Sequence, residues 1–423
     1  MPPPVVRIPR ARFSPPKLPL AFLLAGLALS ALSSLVSAQT VNGSLANAAL
    51  ASAVTKKPPG SIYDQLWALP VLYDAKTGFL TRFQLYGILQ VQDDQGWSNR
   101  GNYGSRDREQ DSRWGDLEVR RLRLGFKSKW LDGKGRLDGL IDINADFNQF
   151  YGRLNILFFE YAFSDALTMG IGKHQAYFAL ERTTSSREIL TIERALLTDV
   201  LWTSWYTGIW ANGKAGKYQW KLAAYAGDDE REFTTFHGGA LLQAGLGYDL
   251  KEATGLDRAT IFFDYQKATA DTSVKGATFE GAPAPYLFES AMSLNSSWEK
   301  GPWGFYTDIL HGHGRGSQGN VSGIILMPTF FVTQKLQFVG RYQFAVGDND
   351  GLRLSSRYDR LAPYITDKGR GGQYQALYLG ANYYFYGHKL KLMTGVEFVN
   401  LSGGGHGGGY NGVSWSTALR MYF

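Results

Sequence analysis

Val413-Ser414-Trp415-Ser416-Thr417-Ala418-Leu419-Arg420-Met421-Tyr422-Phe423 ends the chain. Its odd positions are apolar except Thr417, and its even positions up to Arg420 are small, polar or charged. Successive side chains of a strand point to opposite faces, so this stretch has one greasy face and one wet face. The strand is expected to run to Phe423. A terminal amphipathic strand closing on an aromatic residue reads as the last strand of an outer-membrane barrel, with lipid on one face and a lumen on the other. An unpaired strand edge is not tolerated in lipid, so this strand is expected to pair with the first.

The N-terminus fits export. Arg7, Arg10, Arg12 and Lys17 form a basic stretch without an acidic residue, and an apolar run follows from Leu18 to Val36. Val36-Ser37-Ala38 has the small-residue pattern of a cleavage site, which places a signal peptide over 1–38 and the mature start near Gln39. A single transmembrane anchor is the competing reading, and the Pro-rich flank and the cleavage pattern argue against it. The formal net charge of +7 includes those four basic residues, so their removal lowers it by four, to +3. No concentrated basic stripe marks a nucleic-acid binder. The chain has no Cys, hence no disulfide and no lipoprotein anchor. No later segment has the ~20 continuous apolar residues of a transmembrane helix.

Residues 39–81 read as a polar, Ala-rich periplasmic extension with a short helix near Leu45–Val54, and 82–423 as the barrel. Alternating segments fall near 82–92, 116–130, 136–147, 154–163, 167–174, 206–213, 217–226, 240–250, 258–268, 286–297, 302–310, 320–332, 335–346, 374–386, 390–400 and 410–423. These sixteen segments make an all-β, antiparallel transmembrane β-barrel, and an even number brings both ends to one side. Connections after the even strands are short, as at Ser164-Asp165-Ala166 and Thr333-Gln334. Long ones follow the first, fifth, seventh, ninth and thirteenth strands, at 93–115, 175–205, 227–239, 269–285 and 347–373. Short periplasmic turns against long outer loops is the asymmetry of such barrels, and a soluble sandwich has no reason to adopt it.

Faces follow from the alternation. Phe83, Leu85, Leu89 and Val91 oppose Gln84, Gln90 and Gln92. Leu122, Leu124 and Phe126 face lipid, leaving Arg121, Arg123, Lys127 and Lys129 inward. Leu137, Ile141, Ile143, Ala145 and Phe147 face lipid, with Asp138, Asp142, Asn144 and Asp146 inward. Leu336, Phe338, Tyr342 and Phe344 face lipid, with Gln337, Arg341 and Gln343 inward. An Arg or Lys at the bilayer midplane costs about 2–4 kcal/mol, which forces the charged face into the lumen. Sixteen strands leave that lumen open to water.

The connection 175–205 differs from the others. It mixes apolar residues with Glu181, Arg182, Arg187, Glu193 and Arg194, which suits a segment folded against an inner wall as a constriction. Ser186 is placed to cap a helical turn, with Leu190, Glu193, Arg194 and Leu197 on one face.

Gly172-Lys173-His174-Gln175-Ala176-Tyr177-Phe178-Ala179-Leu180-Glu181, then Thr184-Ser185-Ser186 and Ile192-Glu193-Arg194, resembles the third-loop region of the phosphate-selective porin O/P family. Val119-Arg120-Arg121-Leu122-Arg123-Leu124-Gly125-Phe126 resembles its Arg-rich early strand. The resemblance implies a sixteen-stranded porin in outer-membrane lipid, a homotrimer with its third loop folded inward, passing small ions and solutes such as phosphate. It also implies a lumen ladder of basic residues. Arg121, Arg123, Lys127, Lys173, Lys221, Arg341, Lys391 and Arg420 are the candidates here. Asp138, Asp142, Asp146, Asp264, Asp308 and Glu397 share the inner face, so weak anion preference or general diffusion is expected over tight phosphate selection.

Two other classes compete with this reading. An outer-membrane enzyme would want a His beside a Ser, and His174 lies near Ser185 and Ser186 in sequence. His311 and His313 read as exposed residues of a Gly-rich loop rather than a metal pair, and no cofactor or metal is expected. An adhesin would act through its outer loops, but the polar loop 93–115 has no calcium-loop spacing. The tyrosines at Tyr374, Tyr378, Tyr383, Tyr384 and Tyr386, with Phe385, read as an aromatic girdle or a contact between protomers.

Overall fold

Gly412 pairs with Ser98, and the ladder continues to Tyr422 opposite Ile88. The first and last strands therefore meet, and the sheet is closed. A computed structural model describes residues 60–98, 113–144, 150–201, 204–228, 230–236, 239–269, 287–354, 370–403 and 410–423. The leader, the helix expected near Leu45–Val54, residues 145–147, most of the first long connection and the glycine run 404–409 lie outside the described residues.

The wall consists of β1 (Leu80–Ser98), β2 (Arg113–Trp130), β3 (Gly135–Ile143), β4 (Tyr151–Ser164), β5 (Leu167–Gln175), β6 (Trp205–Ala215), β7 (Tyr218–Ala226) and β8 (Ala240–Asp249). It continues through β9 (Arg258–Ala268), β10 (Phe288–Lys300), β11 (Trp303–Gly314), β12 (Val321–Phe331), β13 (Leu336–Gly347), β14 (Gln373–Tyr384), β15 (Leu390–Ser402) and β16 (Tyr410–Tyr422). Each strand pairs antiparallel with the next, and β16 returns to β1. All sixteen expected strands are present. The first two run further than expected, pairing out to Trp97 opposite Arg113. Beyond Val91 the outward positions pass to Asp93 and Gln95, so the apolar alternation stops while the backbone ladder does not.

The outward face is apolar and exposed, as at Ile171, Ile209, Phe338 and Leu379. Backbone donors and acceptors are satisfied within the closed ladder, as a lipid-facing structure requires. Strand fourteen corrects one expectation. Tyr374, Tyr378 and Tyr384 are buried and point inward, with the Tyr384 hydroxyl donating to Gln337 at 2.6 Å. Tyr383 and Phe385 pack edge-on at 4.9 Å as an aromatic pair.

Residues 60–79 are joined to the barrel rim. Helix α1 (Ile62–Ala68) is capped by Ser61, whose hydroxyl accepts from the Asp64 amide at 3.1 Å. Trp67 donates to the Tyr422 carbonyl at 2.6 Å, and Tyr386 donates to Asp64 at 2.7 Å. Val71–Asp74 then pairs with residues 82–84 of β1, just past the point where Phe423 ends β16. This short strand continues the line of β16 and covers the stretch of β1 that the last strand does not reach.

Aromatic rings repeatedly lie over glycines of the neighbouring strand. Tyr378 fills the space that side chains on Gly380 and Gly395 would occupy. Gly395→Val is therefore expected to cost about 1–3 kcal/mol through overpacking. Gly340→Ala, whose new Cβ would meet its nearest neighbour at 3.5 Å, is expected to be neutral. The temperature at which the folded band converts to the extended band on a detergent gel checks this. Equal temperatures for the two variants would contradict it.

Candidate functional site

The segment joining β5 to β6 lies against the inward face of the wall. Its backbone carbonyls are taken by wall donors. Lys391 donates to Ile189 at 2.7 Å, Asn382 to Leu190 at 2.9 Å, and Arg341 to Glu193 at 2.8 Å. Arg420 donates to Ser186 at 3.1 Å and to the Ile192 carbonyl. Arg341 also bridges the Glu181 carboxylate at 2.9 Å and Glu397 at 3.1 Å, and is 1% exposed. Within the segment, Arg194 donates to the carbonyls of Glu181 and Thr184.

These contacts explain why the helix expected after Ser186 does not form. Carbonyls turned to the wall are not available to amides four residues on. The residues make a tight turn instead, with the Glu188 amide donating to the Ser185 carbonyl at 2.8 Å. Helical turns flank it as α2 (Leu180–Thr183) and α3 (Leu196–Val200). Leu196 and Leu197 of α3, with Phe178 and Leu201, join a buried apolar cluster with Ala291, Leu310, Ile325 and Ala345 of the wall. That sector of the lumen is dry.

The charged residues resolve into pairs. Arg123 bonds Asp142 at 2.5 Å, Lys221 bonds Asp264 at 2.5 Å, and Arg182 bonds Asp199. Arg136 holds Asp138 at 2.5 Å. Asp308 instead accepts from the Ser293 hydroxyl at 2.6 Å and the Leu180 amide at 2.9 Å. Among the described residues, Arg121, Lys127 and Arg187 form no salt bridge. Arg121 donates to Gln90 at 2.7 Å. Lys127 lies 4.3 Å above the Tyr86 ring, and Arg187 sits 5.2 Å from Tyr86 and 5.0 Å from Tyr422.

Three residues depart from the alternation. Lys173 shares its register face with exposed Met169 and Ile171. Its ammonium is closed beneath the 227–239 connection, donating to the carbonyls of Glu230 (2.6 Å) and Glu232 rather than lining the lumen. Ile143, expected toward lipid, is buried and lines a lumen cavity, because the β3–β4 register shifts between Asp142 and Ile143. Arg120 is the residue strict alternation misses. A bulge opposite Gln90 and Val91 lets Arg120 and Arg121 both face inward. Arg120 bonds Glu193 at 2.9 Å, and Gln92 donates to the same carboxylate at 3.0 Å.

His174, His311 and His313 make packing and hydrogen-bond contacts. His174 packs among Phe158, Trp210 and Tyr177 and meets the Tyr225 hydroxyl at 2.9 Å, while Ser185 bonds Arg187. His311 and His313 lie on β11 rather than in a loop, and His311 meets Ser322 at 2.8 Å. Among the described residues no group of three His, Asp or Glu is placed to hold a metal.

Two cavities flank the inner segment. One, of ≈ 530 Å³, is lined by Arg120, Arg121, Arg123, Arg182, Arg194 and Trp205 among others and opens on the long-connection side. The other, of ≈ 630 Å³, lies toward the short turns and includes Tyr177, Lys221, Phe262 and Asp264. An inward segment between two wet cavities in a closed barrel is the arrangement of a constricted channel. Residues 91–285 match the family model of phosphate-selective porin O and P. Over those residues the chain is similar to that porin family. No curated protein matches it.

Solved structures similar to this chain include the outer-membrane channel DcaP of Acinetobacter baumannii, at 15% identity and TM-score 0.50, covering 83% of this chain and 100% of that one. Pseudomonas putida OprB is similar at 10% identity and TM-score 0.53, covering 81% and 94%. Salmonella typhi OmpF is similar at 9% identity and TM-score 0.56, covering 81% and 98%. At these identities the likeness is one of fold. The porin is a bacterial outer-membrane channel for small solutes.

Arg341→Met removes the cation between two buried carboxylates and is expected to cost about 3–5 kcal/mol. The folded-to-extended conversion temperature should fall, and Arg341→Lys should restore part of it; unchanged behaviour in Arg341→Met would contradict the clasp. Glu193 supplies a pH test. Burial alone would raise its carboxyl, but the Arg120 guanidinium beside it holds it below the usual carboxylate range. A depressed folded value means the contact is complete above about pH 4.3 and is lost as pH falls toward that lower value. Glu193→Gln should shift the reversal potential in a salt gradient toward anion preference at neutral pH, and the difference from the wild type should persist down to about pH 4.5 and close only below it. A difference that closes within the ordinary carboxylate range would contradict the assignment.

Proposed function

We propose that the pore prefers anions, phosphate among them, over cations, without tight selection of one ion. One observation carries this reading: among the described residues, inward Arg121, Lys127 and Arg187 form no salt bridge with a carboxylate, whereas Asp138, Asp142, Asp264, Glu181, Glu193 and Glu397 each face a cation. Paired charges cancel at the distance of a passing ion, and the remainder is positive. Arg121 stands at the outer cavity and Lys127 with Arg187 at the Tyr86–Tyr422 aromatics, so an anion meets successive cations. Arg341, Lys391 and Arg420 act through the inner segment, which narrows the path. Lys221 is neutralised by Asp264.

The leader 1–38 is removed on export and the mature chain spans from near Gln39. The basic stretch and cleavage pattern support this. The channel assembles as a homotrimer, a reading supported by the similarity of residues 91–285 to porins. Its work is conduction, and the two cavities about the inner segment support that.

Arg121→Ala with Arg123→Ala tests the selectivity. Reversal potentials in asymmetric KCl should show a clear fall in the chloride-to-potassium permeability ratio, while Arg420→Ala alters it less. An unchanged ratio in the double variant would remove these residues from the ion path.

A further inference from the structure

We propose that the cavity toward the short turns is a subsite for neutral, polyhydroxylated ring solutes of sugar size, separate from the arginine wall. The inference rests on the reading of the lumen as the solute path. The cavity's floor is aromatic. Phe262 lies across Gly245 and Gly247 of β8; a Cβ on Gly245 would stand 2.6 Å from the ring, and one on Gly247 would collide with it. Phe262 lines the cavity, with the Lys221 ammonium, held against Asp264, 5.2 Å from its ring centroid. Tyr177, 41% exposed, adds a second ring on the inner segment, held edge-on by His174 at 5.3 Å.

The surrounding polar groups suit hydroxyls rather than ions. Thr183, Asn212, Gln219 and Thr260 line the cavity with neutral donors and acceptors. The charges there are paired: Lys221 with Asp264 at 2.5 Å, Arg258 with Glu299 at 3.3 Å, and Lys214 with Asp249 at 3.8 Å. A ring solute that buries a C–H face on an aromatic and turns its hydroxyls to amides and threonines satisfies both parts of this lining. An inorganic anion gains nothing from an aromatic face and is better held by Arg121. The volume, ≈ 630 Å³, lies in the range of small-molecule sites.

Maltose added to single channels in planar bilayers tests this. A saturable, concentration-dependent fall in chloride current is expected for the wild type. Tyr177→Leu and, separately, Phe262→Leu should weaken half-block by about tenfold each while leaving the unblocked current in place. Two variants guard against one that fails to fold, which would show as no current. A wild-type current indifferent to maltose, or equal block in both conducting variants, would overturn the subsite. Chloride current itself, present in either case, leaves the pore reading standing; its absence from the wild type would overturn that reading instead.

Discussion

The channel depends on a clasp between wall cations and the backbone of one connection. Lys391, Arg341 and Arg420 come from β15, β13 and β16, and each donates to carbonyls between residues 186 and 193. Carbonyls left unpaired at this depth would each be costly, and so would buried cations without acceptors. Each need is met by the other. The arrangement fixes the inner segment in the lumen and consumes three of the most inward cations in doing so. The apolar packing of α3 against Ala291, Leu310 and Ile325 then dries one sector, leaving the wet path along the opposite wall.

What remains for a solute follows from this use of charge. A count of inward residues gives a mixed lumen of acids and bases. Pairing changes the result, because Arg123–Asp142, Lys221–Asp264 and Arg120–Glu193 present dipoles rather than charges. Arg121, Lys127 and Arg187 are bound to an amide and to aromatic rings, and these leave the cationic character intact. The same principle makes the cavity floored by Phe262 neutral.

The strand count, the closure of β16 on β1 and the inward side of β1 and β13 were legible in the sequence. Each rests on period-two alternation forced by lipid on one face and water on the other. Arg120 and Ile143 were not legible, because a bulge and a register shift break that period without leaving a turn residue to mark them. Lys173 was misplaced because its cover comes from a connection more than fifty residues later. The dry sector had a signal of its own: Ile324-Ile325-Leu326-Met327 on β12 is apolar on both faces, which a wholly water-lined wall does not allow. The tyrosines of β14 carried no such sign, since an aromatic at a membrane rim and one lying over Gly395 read alike in sequence. The helix expected after Ser186 was lost to carbonyl acceptance by distant wall residues, a tertiary effect that local capping rules do not contain.

The most direct test of the clasp as the determinant of the pore is the single-channel conductance of a chain in which residues 181–194 are replaced by a short Gly-Ser link. Removing the clasped segment should leave an inserted, closed barrel whose unit conductance is several times that of the parent. A correctly inserted barrel with the parental conductance would contradict the account, because the narrowest part of the path would then lie elsewhere.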